Sequence, residues 1–101
     1  MAELVILYWR DIPAQVIARA GRKSARAQLP SSFTEAIDSA AMRAGLTNSD
    51  AYLAEWRRGE PSPCADDLDT VVADAVATIE RDYDTERLKH LVMNGGKDPG
   101  A

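Results

Sequence analysis

The chain has little of what most catalytic and metal-binding sites are built from. Its 101 residues include one cysteine, Cys64, and one histidine, His90. A single cysteine excludes an internal disulfide and a cysteine-based zinc cage. The sequence also has no glycine-rich phosphate loop and no nucleophile–base pair at a typical spacing. We therefore expect no catalytic residue, no metal and no cofactor, with Cys64 an inert thiol and His90 a surface residue.

Long apolar segments are also missing. The longest apolar run, Leu4–Trp9, is the size of a strand, whereas a membrane helix needs about 20 apolar residues. The first residues do not have the basic segment and apolar core of a secretory signal. Together with the single cysteine, these absences predict a cytoplasmic protein with no membrane partner.

The charge is unevenly divided along the chain. The formal net charge is -4, yet residues 1–30 carry five bases and two acids, whereas residues 31–101 carry seven bases and fourteen acids. The net negative charge and the few aromatic residues argue against a nucleic-acid partner. We expect instead a basic surface and a separate acidic surface, either of which can face a partner protein.

The first thirty residues predict a small antiparallel sheet. Leu4–Trp9 is rich in β-branched and aromatic residues, which is typical of a strand that is covered in part on both faces. Pro13 ends this strand because it cannot donate a ladder hydrogen bond.

Residues 14–29 have the pattern of a β-hairpin. A two-residue turn at Gly21–Arg22, where glycine supplies a positive φ, leaves one face apolar apart from Lys23 and makes the other polar and basic apart from Ile17. The register pairs Ala20 with Lys23, Arg19 with Ser24, Ala18 with Ala25, Ile17 with Arg26, Val16 with Ala27 and Gln15 with Gln28. The competing prediction is a helix through residues 14–26, since alanine and arginine are good helix formers.

Two helices are predicted in the middle of the chain. Ser32 and Glu35 form a capping box that starts the first helix, and Gly45 ends it. Thr47 or Asn48 then caps a short second helix that includes Trp56–Arg58.

The last part of the chain predicts a third helix and a short fourth one. Asp66 or Asp67 starts the third helix, and its apolar stripe loses phase near Tyr83. Asp84 is then the N-cap of a helix to about Met93. The sequence therefore predicts one α+β domain over residues 1–93, with a small antiparallel sheet (an N-terminal strand plus a β-hairpin) followed by three or four helices packed on one face. Residues 94–101 predict a disordered C-terminal tail.

Two segments resemble a bacterial family. They are Tyr8–Gln15, which reads YWRDIPAQ, and Ala51–Gly59, which reads AYLAEWRRG. Both are similar to the small family labelled "virulence factor", and the likeness covers residues 3–93. Its members occur as standalone alphaproteobacterial proteins and as a domain of conserved virulence factor C-type proteins. The resemblance implies no assigned activity and no catalytic residues, and the genes near family members imply at most a partner in folate- and corrinoid-linked methyl transfer.

Two groups of residues are candidate binding sites. One group is the basic hairpin, which can bind an anion or an acidic partner surface or can be a solvated sheet face that discourages edge pairing. The other group can form an aromatic pocket for a flat anionic ligand, or its aromatic rings can be part of the core. The hairpin residues are Arg19, Arg22, Lys23 and Arg26, and the pocket residues are Trp9, Arg10, Trp56 and Arg57.

The leading hypothesis is a non-enzymatic interaction or accessory module that docks on a larger protein partner. The docking surface is the basic hairpin or the acidic helix face within residues 60–86, which hold nine acids and one base. A homodimer is a further option. The alternative is a protein that binds a small anionic ligand or cofactor, folate-like or nucleotide-like, in the service of folate and corrinoid methyl transfer.

Overall fold

The computed structural model of the protein describes residues 2–46 and 49–97. Within these ranges an antiparallel sheet, in the order β3-β2-β1-β4 with β5 also on β1, is combined with helices, which confirms the predicted α+β class. No helix in these ranges is long and apolar enough to cross a membrane. The elements in chain order are β1 Ala2–Trp9, β2 Ile12–Ala20, β3 Lys23–Gln28, α1 Ser31–Arg43, α2 Ser49–Ala54, β4 Trp56–Arg58, β5 Ser62–Pro63, α3 Leu68–Asp82 and α4 Thr85–Met93.

The β2–β3 hairpin has the predicted register throughout, from Gln15 opposite Gln28 to Ala20 opposite Lys23. Gly21 has a φ of +61°, which glycine adopts without steric cost. The competing helix over residues 14–26 is wrong. Helix propensity is a weak prior, and the alternation of the hairpin lets one face be buried, with Val16 and Ala18 fully covered.

A β-bulge at Ala14 of β2, opposite the end of β1, lies next to the largest core side chain. Pairing between β1 and β2 shifts after Leu7, so that Ala14 is left over and Trp9 lies opposite Ile12. A bulge bends and twists the strand. Trp9 and Ile12 are both fully buried, so this end of the sheet is anchored in the core.

The segment after α2 is a strand, and the predicted continuation of the helix through Trp56–Arg58 is wrong. Here Trp56 pairs with Trp9 and Arg57 with Tyr8. β1 has a free edge whose backbone groups need partners, and this pairing overrides the local helix propensity. The predicted caps Thr47 and Asn48 lie outside the described residues.

The helix ends follow the predicted caps at α3 and α4 but not at α1. Asp67 accepts a hydrogen bond from Thr70 N, and Asp84 accepts one from Arg87 N. These caps confirm the helix break near Tyr83. The capping box is wrong, because the N-cap is Pro30, two residues before Ser32, and α1 has no side-chain cap.

The predicted end of α1 is confirmed. Gly45 has a φ of +76°, and Leu46 N donates to Ala41 O at 2.9 Å. This is the hydrogen bond of a Schellman motif, in which a left-handed residue ends the helix.

The chain stays in contact with the domain beyond α4. Gly95 and Gly96 are buried, and Gly96 O accepts a hydrogen bond from Asp11 N at 2.8 Å. These contacts lie past the predicted domain boundary at Met93 and inside the segment predicted as a tail. Residues 98–101 lie outside the described part of the chain.

Candidate functional site

The two segments that carry the family resemblance meet at one end of the sheet. The Arg10–Asp11 turn joins β1 to β2, and the backbone N–H of Arg10 donates to Glu55 O at 3.1 Å. Next to this bond, Trp56 pairs with Trp9. We call this group of contacts the motif junction.

Arg10 is the centre of the motif junction. Its φ of +53° places it in the left-handed region, which a non-glycine residue rarely adopts. Its guanidinium donates from Nη1 to Gly95 O at 2.8 Å and from Nη2 to Glu55 Oε1 at 3.1 Å, with only 14% of the side chain exposed. The buried Nε has no partner among the described residues. The hydrogen bonds at both ends of Arg10 hold it in this conformation.

Arg57 joins the same two segments from the outer side. Its Nε donates to the backbone oxygen of Arg10 at 2.9 Å, and its Nη2 lies 3.1 Å from Asp11 Oδ1. The guanidinium carbon is 4.5 Å from the ring centroid of Tyr8, a cation–π contact. Arg57 is half exposed, so its ion pair contributes less than that of Arg10.

Three aromatic rings pack under the motif junction. The indole N–H of Trp9 donates to Tyr52 O at 3.0 Å, and the two rings stack with centroids 5.7 Å apart. Trp56 meets Tyr52 edge-on at 6.1 Å. Burial raises the pKa of the Tyr52 hydroxyl, the Asp38 carboxylate raises it further, and a hydrogen bond from Trp56 offsets part of this.

The C-terminal glycines Gly95 and Gly96 are part of the motif junction, although the sequence pattern places them in a tail. Both have a positive φ. A Cβ on Gly96 would lie 2.7 Å from Cζ3 of Trp9, so no larger residue fits there. Two adjacent glycines directly after a helix were the available signal. The same glycine pair is equally typical of the start of a disordered tail.

These contacts show what the predicted pocket residues do. Trp9 has no exposed surface, and both terminal nitrogens of Arg10 are bonded within the chain. The motif junction therefore ties strand, turn and C-terminal segment together. Within the described ranges, no three His, Cys, Asp or Glu side chains form a group that could hold a metal.

The basic hairpin lies apart from the motif junction. Arg19, Arg22, Lys23 and Arg26 are all exposed. Arg19 lies 3.8 Å from Glu3, and the other three have no ion pair with any acidic residue that the structure describes.

The acidic start of α3 lies next to the tip of the hairpin. Lys23 lines the same surface depression, of about 400 Å³, as Asp66, Asp67 and Asp69. The basic and acidic surfaces, which the sequence predicted to be separate, therefore meet at Lys23. Arg19, Arg22 and Arg26 do not line this depression.

Arg19 and Arg26 share one face of the sheet with an apolar pair. Val5 lies opposite Ile17, and Ile17 lies opposite Arg26. Val5 and Ile17 are buried, yet neither belongs to the core cluster that the helices pack against. This group, which we call the basic sheet face, consists of Val5, Ile17, Arg19, Ser24 and Arg26.

Comparison with known proteins gives a family match that covers nearly the whole domain. The model of a family described as "Virulence factor" matches residues 7–92, which include both motif segments. No curated protein and no solved structure matches the chain. Since the family match extends over far more than half of the sequence, the chain belongs to the Virulence factor family.

Proposed function

We propose that the chain is a non-enzymatic interaction module that docks on a larger protein partner through its basic sheet face. The observation that carries this proposal is the state of Arg26. It is exposed, it lies beside the apolar Ile17, and none of the described acidic residues pairs with it. Exposed arginines of this kind are enriched at protein interfaces, where they often contribute much of the binding energy.

The rigidity of the hairpin supports this choice of surface. Arg19 and Arg26 stand on two strands with a continuous register, and the opposite face of the same strands is buried through Val16 and Ala18. A surface held in this way binds with little loss of backbone entropy. The planar guanidinium groups favour partner carboxylates, which they can bind in a bidentate manner.

The motif junction supports the proposal indirectly. Trp9 and Arg10 are used inside the domain, so they are poorly placed to serve as a recognition surface. The alternative, an anionic ligand held by Arg10 between Trp9 and Trp56, has less support because both terminal nitrogens of Arg10 already have partners and the remaining Nε is buried.

The chemistry of the partner follows from charge. The basic sheet face favours an acidic protein surface, whereas the net charge of -4 disfavours a polyanion as long as nucleic acid. We propose a cytoplasmic location for this function, which the single free thiol of Cys64 supports.

A capture experiment with two charge-matched double variants tests the proposal. Arg19→Glu with Arg26→Glu reverses the basic sheet face, while Arg81→Glu with Lys89→Glu makes the same change in net charge on the exposed surface of α3 and α4. We expect the native chain and the control variant to retain one acidic protein in stoichiometric amount, and the face variant to lose it. Equal retention by both variants, or retention of a second copy of the chain alone, would overturn the proposal.

A further inference from the structure

We propose a second binding site in the cavity lined by residues of the sheet, α1 and α2, which takes a small uncharged nitrogen heterocycle. The cavity has a volume of about 240 Å³. This is below the range of about 300–1,000 Å³ that holds drug-sized molecules. One or two fused rings fit such a space, whereas a complete nucleotide does not.

Two glutamines provide the polar part of this site. Gln15 and Gln28 are the only glutamines of the chain, and they lie directly opposite each other on β2 and β3. Both line the cavity, as does Thr34 from α1. None of the three side chains has a hydrogen-bond partner among the described residues. Their donors and acceptors are therefore available to a ligand.

Two aromatic rings provide the apolar wall. Tyr52 and Trp56 line the cavity and are only partly buried, so their rings are accessible from it. Heterocyclic bases stack well on such rings. Adjacent donor and acceptor atoms on a base match the two ends of a glutamine amide, as in the recognition of adenine by this side chain.

The lack of charged side chains among the described residues that line the cavity favours an uncharged ligand over an anion. No charged side chain lines the cavity within the described ranges. The Asp38 carboxylate acts on the nearby Tyr52 hydroxyl, where it helps raise the pKa. A phosphate group would find no cation here, and an uncharged heterocycle avoids this cost.

Adenine is the probe for this site, and NMR of the full chain is the readout. The chain has two glutamines and two asparagines. Once assigned, the side-chain amide signals of Gln15 and Gln28 report on the cavity, and we expect both to shift saturably with adenine, while those of the asparagines stay in place. Gln28→Leu, at an exposed position, is expected to weaken binding about tenfold. The control Thr78→Val, at an exposed position on α3, is expected to leave the affinity unchanged.

Three results would overturn this site. They are amide signals that do not respond saturably, equal affinity of the native chain and Gln28→Leu, and binding of indole as tight as that of adenine, because indole has no adjacent donor and acceptor. Tighter binding of adenosine monophosphate than of adenine would contradict the uncharged ligand class. The test needs no partner and leaves Arg19 and Arg26 intact, so its outcome is independent of the proposed docking function.

Discussion

The carbonyl oxygen of Gly95 accepts a 2.8 Å hydrogen bond from Nη1 of Arg10, a residue 85 positions earlier in the chain. The other terminal nitrogen of Arg10 is held by Glu55. One guanidinium thus joins the first turn of the sheet, the segment before β4 and the turn after α4. Residues from both motif segments therefore connect the N-terminal part of the domain to its C-terminal turn.

The first prediction concerns Arg10. Arg10→Ala removes two hydrogen bonds of a mostly buried guanidinium and leaves Gly95 O and Glu55 without their partner. We expect the free energy of unfolding to fall by about 2 kcal/mol, measured by urea denaturation. Arg22→Ala, in the exposed hairpin turn, is the control and should change it by less than about 0.5 kcal/mol. Equal effects of the two substitutions would show that the motif junction does not stabilise the domain.

The second prediction compares two glycines with similar backbone conformations. Gly45 and Gly96 both have a positive φ, but a Cβ on Gly45 meets nothing within 4 Å, whereas one on Gly96 meets the Trp9 ring at 2.7 Å. Gly45→Ala should cost about 1 kcal/mol through backbone strain alone. Gly96→Ala should cost a further ~1–3 kcal/mol through overpacking. Thermal or urea unfolding measures both, and similar costs would mean that the C-terminal turn does not pack on Trp9.

The third prediction tests the helix starts. Asp84 accepts a hydrogen bond from Arg87 N at 2.9 Å, whereas Ser32 makes no cap hydrogen bond. Asp84→Ala should therefore lower the free energy of unfolding by about 1 kcal/mol, and Ser32→Ala should change it by less than about 0.5 kcal/mol. A larger loss from Ser32→Ala than from Asp84→Ala in denaturation experiments would show that the capping box at Ser32 does stabilise α1.

The fourth prediction concerns pH. The pKa of Tyr52 is raised in the folded chain, first by burial and then by Asp38. As the pH rises past about 10, Tyr52 ionises in the unfolded chain before it does in the folded one. The neutral hydroxyl of Tyr52 therefore contributes its full share to the free energy of unfolding below that pH. This contribution is lost as the pH rises from the unfolded pKa to the higher folded pKa.

Urea denaturation at several pH values above and below about 10 measures this loss. Tyr52→Phe should show a smaller fall in the free energy of unfolding with rising pH than the native chain. An identical fall in both proteins would contradict the burial of the Tyr52 hydroxyl.

The hairpin could be predicted because its signal is local. Alternation along Val16–Ala20 and Ala25–Ala27, with Gly21 between them, determines both the turn and the faces, and a shift by one residue would bury Arg19 or Arg26. The break at Tyr83 was predictable for the same kind of reason, since Asp84 is an N-cap at the point where the apolar stripe loses phase.

The motif junction could not be assembled from the sequence because its contacts are distant along the chain. β4 exists because β1 has a free edge, and nothing within Trp56–Arg58 itself shows this. The contact of Gly96 with Trp9 likewise depends on where α4 ends in space. The sequence singled out four residues of the two motif segments, Trp9, Arg10, Trp56 and Arg57. Only the three-dimensional arrangement shows that the residues of each segment contact the other segment.

The basic sheet face is tested most directly by photo-crosslinking from Ser24, which lies opposite Arg19 on this face. A benzophenone amino acid replaces Ser24 in one variant and the exposed Thr78 on α3 in the other, and crosslinking is carried out in the cytoplasm that contains the natural partners. The result expected is one crosslinked acidic protein from position 24, absent from position 78 and lost when Arg19→Glu and Arg26→Glu are added. The same crosslinked products from both positions, or none from position 24, would contradict the docking function.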